Sequence, residues 1–325
     1  MGATPNQFHT FHILIYRAMN LLMLMLLINN IACIKEKEPR AKKILDTHQN
    51  VATKLNFSEV TKEAGLRNFR HDNGSFGKMW FPEQMGSGCG FIDYNDDGWI
   101  DILLVGGGGW AGHTKRDVKA LWLYKNNKNG TFTEVTEEAG LGFINTYGLG
   151  IVAADYDNDG DQDIYLTSLG RNILLSNQDG IYKDVSQQSG LGNRIEWSSS
   201  AIFFDADKDG WLDLYVGNYA MWSPAGDLWC SLDNKTKVYC PPEMYVGIPS
   251  RFYHNNGDGT FTDHTQIAGF IPAPGKSLGV VQLDYNNDGW PDLAVANDGE
   301  RDLLYQNNGD GTFTEKGTKL GMAYG

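Results

Sequence analysis

The stretch Asp155-Tyr-Asp-Asn-Asp-Gly-Asp-Gln-Asp163 decides how this chain of 325 residues folds. Three further copies share its pattern of Asp at positions 1, 5 and 9, Asp or Asn at position 3, and Gly at position 6. An apolar run precedes each copy and another follows it, so each acidic loop is predicted to join two β-strands. The other copies span residues 93–101, 205–213 and 284–292.

Two other elements recur around these loops. A hairpin with an Asn-Gly or Asp-Gly turn follows each one, as in Phe252-Tyr-His-Asn-Asn-Gly-Asp-Gly-Thr-Phe261, and such turns are a strong hairpin signal. A short turn such as Val135-Thr-Glu-Glu-Ala-Gly-Leu141 then leads to the next unit. Four antiparallel strands at a period of about 50 residues are typical of a propeller blade. The sequence therefore predicts an all-β fold, a β-propeller of four-stranded antiparallel blades.

The N-terminal residues have the character of a processing signal followed by a tether. The apolar run 21–28 follows Arg17 and is too short for a membrane span of about 20 residues, but it matches the apolar region of a signal peptide. We predict a signal peptide over residues 1–33, with Met19 as an alternative start, and a flexible tether over residues 34–54.

The cysteines fit an exported protein. Asn30-Ile-Ala-Cys33 resembles a bacterial lipobox and predicts lipidation of Cys33, with an ordinary cleaved signal as the alternative. Cys230 and Cys240 lie ten residues apart in an insertion of the third unit, where a disulfide would staple a loop without its own core. Cys89 aligns with apolar strand positions and is predicted to be buried. The expected location is extracytoplasmic: secreted, or attached to the outer membrane or cell envelope.

The charge of the chain is concentrated in the acidic loops. The formal net charge is −13, which argues against nucleic acid as a partner. The four nine-residue loops together carry −15, which leaves +2 for all other residues. Without a cation, each loop would suffer strong repulsion between its carboxylates at short range. The loops are therefore predicted to bind metal ions.

The ligand chemistry of the loops favours calcium. Their side chains offer hard oxygen donors, which suit the six to eight ligands of Ca²⁺, and position 7 can add a backbone carbonyl. An EF-hand would need Glu at position 12 of the loop, where these loops have Leu or Val inside a strand. About four Ca²⁺ ions are expected, one per loop. The predicted ligands are Asp93, Asn95, Asp97, Trp99 and Asp101; Asp155, Asp157, Asp159, Asp161 and Asp163; Asp205, Asp207, Asp209, Trp211 and Asp213; and Asp284, Asn286, Asp288, Trp290 and Asp292.

Together these motifs resemble a known family. The loops are similar to FG-GAP/VCBS repeats, as in integrin α-chain propellers, and Met85-Gly-Ser-Gly-Cys-Gly-Phe-Ile-Asp-Tyr94 resembles the cartilage acidic protein family, whose bacterial members usually end in an ASPIC/UnbV domain. The resemblance implies seven blades, calcium in the blade loops and an extracytoplasmic place. Residues 55–325 are thus expected to form an incomplete propeller, an open arc of four blades with an extra outer strand at residues 56–60.

Three functions fit the sequence. The leading hypothesis is a non-enzymatic interaction or adhesion module for an unknown protein or glycan, touching membrane only through a lipid anchor. An alternative is a polysaccharide lyase or hydrolase that uses His71, Glu83 and His113 as acid or base. A third is a scaffold for a missing C-terminal domain. Inserted tryptophans could form a contact surface or pack the insertions down: Trp80, Trp110, Trp222 and Trp229.

Overall fold

The computed structural model describes residues 56–74, 77–108, 119–270 and 275–323. The predicted signal peptide, the tether, Cys33, His113 and Trp110 lie outside these described residues. The chain divides into two compact units, and the unit that spans residues 58–325 contains all the strands described here.

The described residues form antiparallel strands that follow one another as four meanders of four strands each. In the first two meanders the strands are β1 (Cys89–Ile92), β2 (Asp101–Val105), β3 (Leu121–Asn126), β4 (Phe132–Glu134), β5 (Tyr147–Ala154), β6 (Asp163–Gly170), β7 (Ile173–Gln178) and β8 (Ile181–Asp184). In the last two they are β9 (Glu196–Phe204), β10 (Asp213–Asn218), β11 (Arg251–Asn255), β12 (Phe261–Asp263), β13 (Ser277–Leu283), β14 (Asp292–Asn297), β15 (Leu303–Asn307) and β16 (Phe313–Glu315).

Each meander pairs its strands in chain order, as the repeat predicts. The second and third meanders are also joined into one larger sheet, because Leu169 pairs with Trp197 and Gly170 with Glu196 at the start of β9. The helices are short: α1 (Gly317–Leu320) and 3₁₀ turns at Phe81–Gln84, Pro224–Gly226 and Pro242–Met244. None of the helices in the described part of the chain has the length and apolar character needed to cross a membrane.

Apolar side chains fill the space between successive meanders. The second strands of the two inner meanders, β6 and β10, are buried along most or all of their length, whereas β2 of the first meander alternates between buried and half-buried residues. This difference follows from the pleat, which sends successive side chains to opposite faces. One representative pair from each of the three interfaces is Leu121 with Ile164, Leu174 with Leu214, and Phe252 with Leu293.

The exposed face of the first meander corrects one prediction. Cys89 was expected to be a buried small hydrophobe, but it is exposed, and Phe91, two residues on and so on the same face, is 69% exposed. Gly90 points the other way, toward Ile151 of the second meander. The aligned apolar positions of the other meanders are half-buried, and no described meander covers this face of β1, so Cys89 is exposed.

The recurring turns join one meander to the next. The carbonyl of the residue before the turn glycine accepts a hydrogen bond from the first residue of the following outer strand, as from Phe313 N to Ala268 O at 2.7 Å. Gly269 is required there, because its φ is +81° and a Cβ would lie 2.7 Å from the Phe313 oxygen. The turn after residues 56–60 makes the equivalent bond, from Phe132 N to Ala64 O.

Residues 56–60 do not form the predicted outer strand. Residues 56–60 precede their turn in the same way that β4 precedes the turn at residues 135–141. An outer strand pairs with the third strand of its meander, and the described residues provide no such strand for residues 56–60. A strand is defined by its hydrogen bonds to a partner, so the correct local pattern did not produce one here.

Candidate metal centres in the acidic loops

All four acidic loops lie at one end of the meanders. Each loop connects the first and second strands of its meander, and the first strands of successive meanders lie side by side, as the hydrogen bond from Gly88 N to the Leu149 carbonyl illustrates. We call this the acidic end. The connections between second and third strands therefore lie at the opposite end, which we call the insertion end because it carries the long segment 219–250.

Backbone amides wind each loop around the side chain at position 1. In the first loop Asp93 accepts hydrogen bonds from Asp97 N at 3.0 Å and from Gly98 N at 2.8 Å. Asp97 in turn accepts from Trp99 N at 3.1 Å. The bonds to positions 6 and 7 recur in the other three loops. Because the backbone turns toward these carboxylates, their remaining oxygens gather in a small space.

Several oxygens in that space have no hydrogen-bond donor. In the second loop one carboxylate oxygen from each of Asp155, Asp157 and Asp159 lies within 4.8 Å of the others. The Asp157 Oδ1 atom is buried without a hydrogen-bond partner, and so are Asn95 Oδ1 and Asp205 Oδ1 in the first and third loops. A buried oxygen without a partner is costly, and a hard cation would satisfy it. The residues present therefore fit Ca²⁺.

The carboxylate at position 9 is held by the protein itself. Asp163 is fully buried and accepts from Tyr156 N at 3.2 Å and from Asn177 N at 2.8 Å. The same two backbone bonds recur at Asp101, Asp213 and Asp292. These carboxylates therefore tie the acidic loop to the hairpin of the same meander, whether or not they also bind metal.

Burial changes the acidity of these carboxyl groups. Desolvation raises the pKa of Asp163 to about 8, and the charge of Asp157 adds to the rise. Desolvation likewise raises the pKa of Asp213 to about 6, while its backbone hydrogen bonds and His254 oppose the rise. The pKa of Asp157 is also raised, by desolvation and by Asp159. A nearby cation would favour the charged forms of these groups.

Sequence reasoning missed a set of asparagines that positions the loops. The Asn255 side chain donates to Leu212 O at 3.0 Å in its own loop and to Tyr156 O at 2.8 Å in the loop of the preceding meander. Asn177 and Asn307 make the same two bonds. The signal was available, because Asn occupies this place in all four hairpins. These asparagines clamp neighbouring acidic loops together.

The third loop differs from the others in its donors. His254 Nδ1 lies 3.0 Å from Asp213 Oδ1 and 3.8 Å from Asp207 Oδ2. One donor atom from each of Asp207, Asp209 and His254 falls within 4.8 Å of the others. The corresponding hairpin residue is Lys125, Ser176 or Gln306 in the other meanders, so only this described loop brings an imidazole to its oxygens.

The residue at position 7 uses its side chain for packing or hydrogen bonding. Trp290 of the fourth loop carries the ammonium group of Lys208 over its ring, at 4.1 Å from the centroid. In the second loop Asp161 accepts a hydrogen bond from Asp179 N at 2.9 Å. These contacts leave the predicted metal role of position 7 to its backbone carbonyl.

The insertion end holds the disulfide and most of the inserted tryptophans. Cys230 and Cys240 are joined by a disulfide in the third meander's insertion. Trp80 packs edge-on against Trp222 at 5.7 Å between ring centroids, and Trp222 packs on Trp197 in the same manner at 6.4 Å. Trp229, in contrast, is 65% exposed. Trp80 and Trp222 therefore pack the inserted segments against the body of the meanders.

The proposed acid and base residues make separate contacts. His71 is exposed and its Nε2 atom lies 3.0 Å from Ser87 Oγ. Glu83 is 3% exposed, and its Oε2 atom accepts a hydrogen bond from the Tyr239 hydroxyl at 3.1 Å. The two residues form no hydrogen bond with each other, and His113 lies outside the described residues, so the acid–base role of these residues stays a prediction. Ser277, in a Gly-x-Ser-x-Gly sequence, is buried within β13 and does not begin a helix.

Comparisons with known proteins identify the repeat. A family model described as "FG-GAP-like repeat" matches residues 93–166, 242–295 and 284–324. The chain therefore contains FG-GAP-like repeats, and proteins with such repeats are generally binding or adhesion modules. No curated protein matches the chain.

One solved structure to which the chain is similar is that of a lectin from Agrocybe aegerita, described as recognising non-reducing terminal N-acetylglucosamine. It is similar over 69% of this chain and 49% of that chain, with 18% sequence identity and a TM-score of 0.37. This chain thus spans about half the length of that lectin chain.

Proposed function

We propose that this chain is a calcium-binding, extracytoplasmic β-propeller that serves as an interaction module and not as an enzyme. The observation that carries the calcium assignment is the buried, unpartnered oxygen found in three separate loops, at Asn95, Asp157 and Asp205. Repetition makes a chance defect of packing a poor explanation. Hard oxygen donors in loops of high negative charge favour Ca²⁺ over softer metals.

The role of the metal in this proposal is structural. A bound Ca²⁺ would supply positive charge to carboxylates that otherwise repel one another. The chain does the rest: the position 1 carboxylate winds the loop, the position 9 carboxylate ties it to the hairpin, and the asparagine clamp links it to the preceding meander. The acidic end would then be a rigid base that leaves the insertion end free to vary.

The interaction role rests on the repeat type, because proteins with FG-GAP-like repeats are generally binding or adhesion modules. A protein or a glycan remains the proposed class of partner. The disulfide is compatible with an extracytoplasmic location. Kinship with the ASPIC/UnbV-associated cartilage acidic proteins and a lipid anchor at Cys33 are part of the same proposal.

Calorimetric titration of the metal-free chain with Ca²⁺ tests the metal assignment. We expect up to four sites with Kd about 10⁻⁴–10⁻³ M, as in other extracellular modules. Mg²⁺ should bind more weakly, because it demands near-ideal octahedral geometry. The matched control is Asp310→Asn, a change in a hairpin turn outside the loops. Absence of saturable heat with Ca²⁺ would remove the assignment.

A further inference from the structure

The insertion end contains a cavity of about 300 Å³. It lies where the segment before β1, the third meander's insertion and the loop after β14 meet. Its walls include Phe81, Met85, Tyr219, Tyr239, Pro242 and Asp298. This volume is at the lower end of the range for small-molecule sites, so the cavity suits a small chemical group on a larger ligand.

Aromatic rings support the walls of this cavity. Phe81 stacks on Tyr245 with 4.3 Å between ring centroids and on Tyr219 with 5.8 Å. Phe81 and Tyr219 are almost completely buried, so the protein fixes both rings. Fixed rings beside Met85 and Pro242 present an apolar surface of defined shape.

One carboxylate lines the same cavity, and two others lie close to residues of its walls. Asp298 lines it and accepts a hydrogen bond from the Tyr219 hydroxyl at 2.5 Å. Glu243 lies close to the Asp298 loop, since a Cβ on Gly299 would be 3.9 Å from its Oε1 atom. Glu83 contacts Tyr239 of the cavity wall through a hydrogen bond from the Tyr239 hydroxyl. Glu83 is only 3% exposed, and its Oε1 atom has no hydrogen-bond partner.

No cationic side chain of the described residues neutralises these carboxylates. Asp298, Glu243 and Glu83 form no ion pair with a described Lys, Arg or His, and no residue lining the cavity is basic. Lys276 is paired instead with Glu300 at 2.9 Å, and Lys237 with Asp227. The cavity therefore combines negative charge with aromatic and apolar walls.

We propose that this cavity binds an organic ammonium group, either quaternary or a protonated amine, carried by the partner of the module. Aromatic rings attract cations through their quadrupole, and a carboxylate such as Asp298 adds the opposite charge. Methyl or methylene groups next to the nitrogen would contact Met85 and Pro242. This inference rests on the proposed interaction function. It specifies the chemical class of the ligand and assigns the binding to the insertion end.

Choline is the probe that tests this inference, and 3,3-dimethylbutan-1-ol is its neutral counterpart of the same shape. The full chain, with Ca²⁺ present, is titrated with each compound by calorimetry and by ligand-observed NMR. Choline should bind saturably, and the neutral alcohol should bind about ten-fold more weakly or not at all, since only the cation gains from the rings and the carboxylates. Equal binding of the two compounds would overturn the inference.

Matched variants locate the binding. Asp298→Asn should weaken choline binding about ten-fold by removing the lining charge. Glu63→Gln, an exposed carboxylate on the first turn, should leave the binding unchanged. If Asp298→Asn does not fold, Glu243→Gln replaces it, with an expected loss of about three-fold. Choline binding that neither folded variant weakens would place the ligand elsewhere and overturn the inference.

Two further arms separate this inference from the calcium proposal. The choline titration is repeated on the metal-free chain, because the cavity and the acidic loops lie at opposite ends. Ca²⁺ binding without choline binding would overturn only the cavity assignment. Choline binding without Ca²⁺ binding would uphold the cavity and remove the calcium proposal. Saturable binding of N-acetylglucosamine that Asp298→Asn weakens, with no binding of choline, would overturn the inference and reassign the cavity to a neutral sugar.

Discussion

The two ends of the meanders follow different rules. At the acidic end the four loops repeat nearly the same hydrogen bonds, down to the amides that reach the position 1 and position 9 carboxylates. At the insertion end the connections differ in length, and the third meander's insertion carries a disulfide and helps to form an aromatic cluster and a cavity. The repeated end therefore builds the frame, and the variable end can acquire a specific ligand.

This contrast has a physical basis in the sheet. Every acidic loop must hold two neighbouring strands in register and also meet the loop of the adjacent meander, so a change in one loop disturbs its neighbours. A connection at the insertion end needs only to leave one strand and enter the next. Loops with that freedom tolerate insertions and carry function.

The largest effect should come from a direct comparison of the two ends. Chelation of Ca²⁺ should lower Tm by about ten degrees or more, because each site at a free Ca²⁺ concentration 100-fold above Kd contributes about 2.7 kcal/mol. Reduction of Cys230–Cys240 should shift the main transition by less than about 3 °C, because it releases an insertion and not the frame. Scanning calorimetry measures both. A larger shift on reduction than on chelation would reverse the comparison.

The asparagine clamps should rank next. Asn255→Ala removes bonds to its own loop and to the preceding meander from a site that is 1% exposed, so we expect a loss of about 2–3 kcal/mol in the free energy of unfolding. Asn126→Ala is the matched control, since Asn126 donates only to Ile100 O within its own loop. It should cost about 1 kcal/mol. Equal losses in urea denaturation would mean that the link between meanders contributes little.

The acidic end was predictable from sequence because its pattern is short and repeated. Spacing alone located four loops between strands, and the hairpin copies located the strands that follow. The role of Asn177 and its equivalents was missed for a physical reason: their bonds reach the preceding meander, about 80–100 residues earlier in the chain. A repeated residue signals importance, but its partner is set by packing between repeats.

The insertion end was less predictable, because it has no second copy for comparison. The stack of Phe81 on Tyr245 joins segments more than 160 residues apart, and no local pattern announces it. The predictions for Cys89 and for residues 56–60 were wrong for a related reason. Their local sequence was correctly assigned, but burial and strand pairing depend on whether a neighbour is present.

The metal-free protein should lose stability as pH rises, because a carboxyl group at the acidic end is buried. Burial raises the pKa of Asp163 to about 8, well above its unfolded value. Its contribution is therefore fully present below about pH 4 and is lost as pH rises through about 8. We expect Tm of the metal-free chain to fall by several degrees between pH 5 and pH 8.5, and Ca²⁺ to reverse the fall. A Tm that is higher at pH 8.5 than at pH 5 without metal would contradict the role of this buried carboxyl.

The smallest effect should separate loops within the acidic end. The second loop has five carboxylates, while the fourth has three and uses Asn286 at position 3. The Asn286 amide donates a hydrogen bond to the Asp288 carboxylate at 2.6 Å, and its oxygen accepts one from Asp288 N at 3.1 Å. The Asp157 Oδ1 atom, in contrast, has no hydrogen-bond partner. More ligand charge and a free oxygen should give the second loop about ten-fold tighter Ca²⁺ binding. Calorimetry of Asp157→Ala should therefore show loss of the tightest site, and Asn286→Ala loss of a weak one. If the two variants lose sites of equal affinity, ligand charge does not rank the loops and the acidic end is more uniform than its sequence.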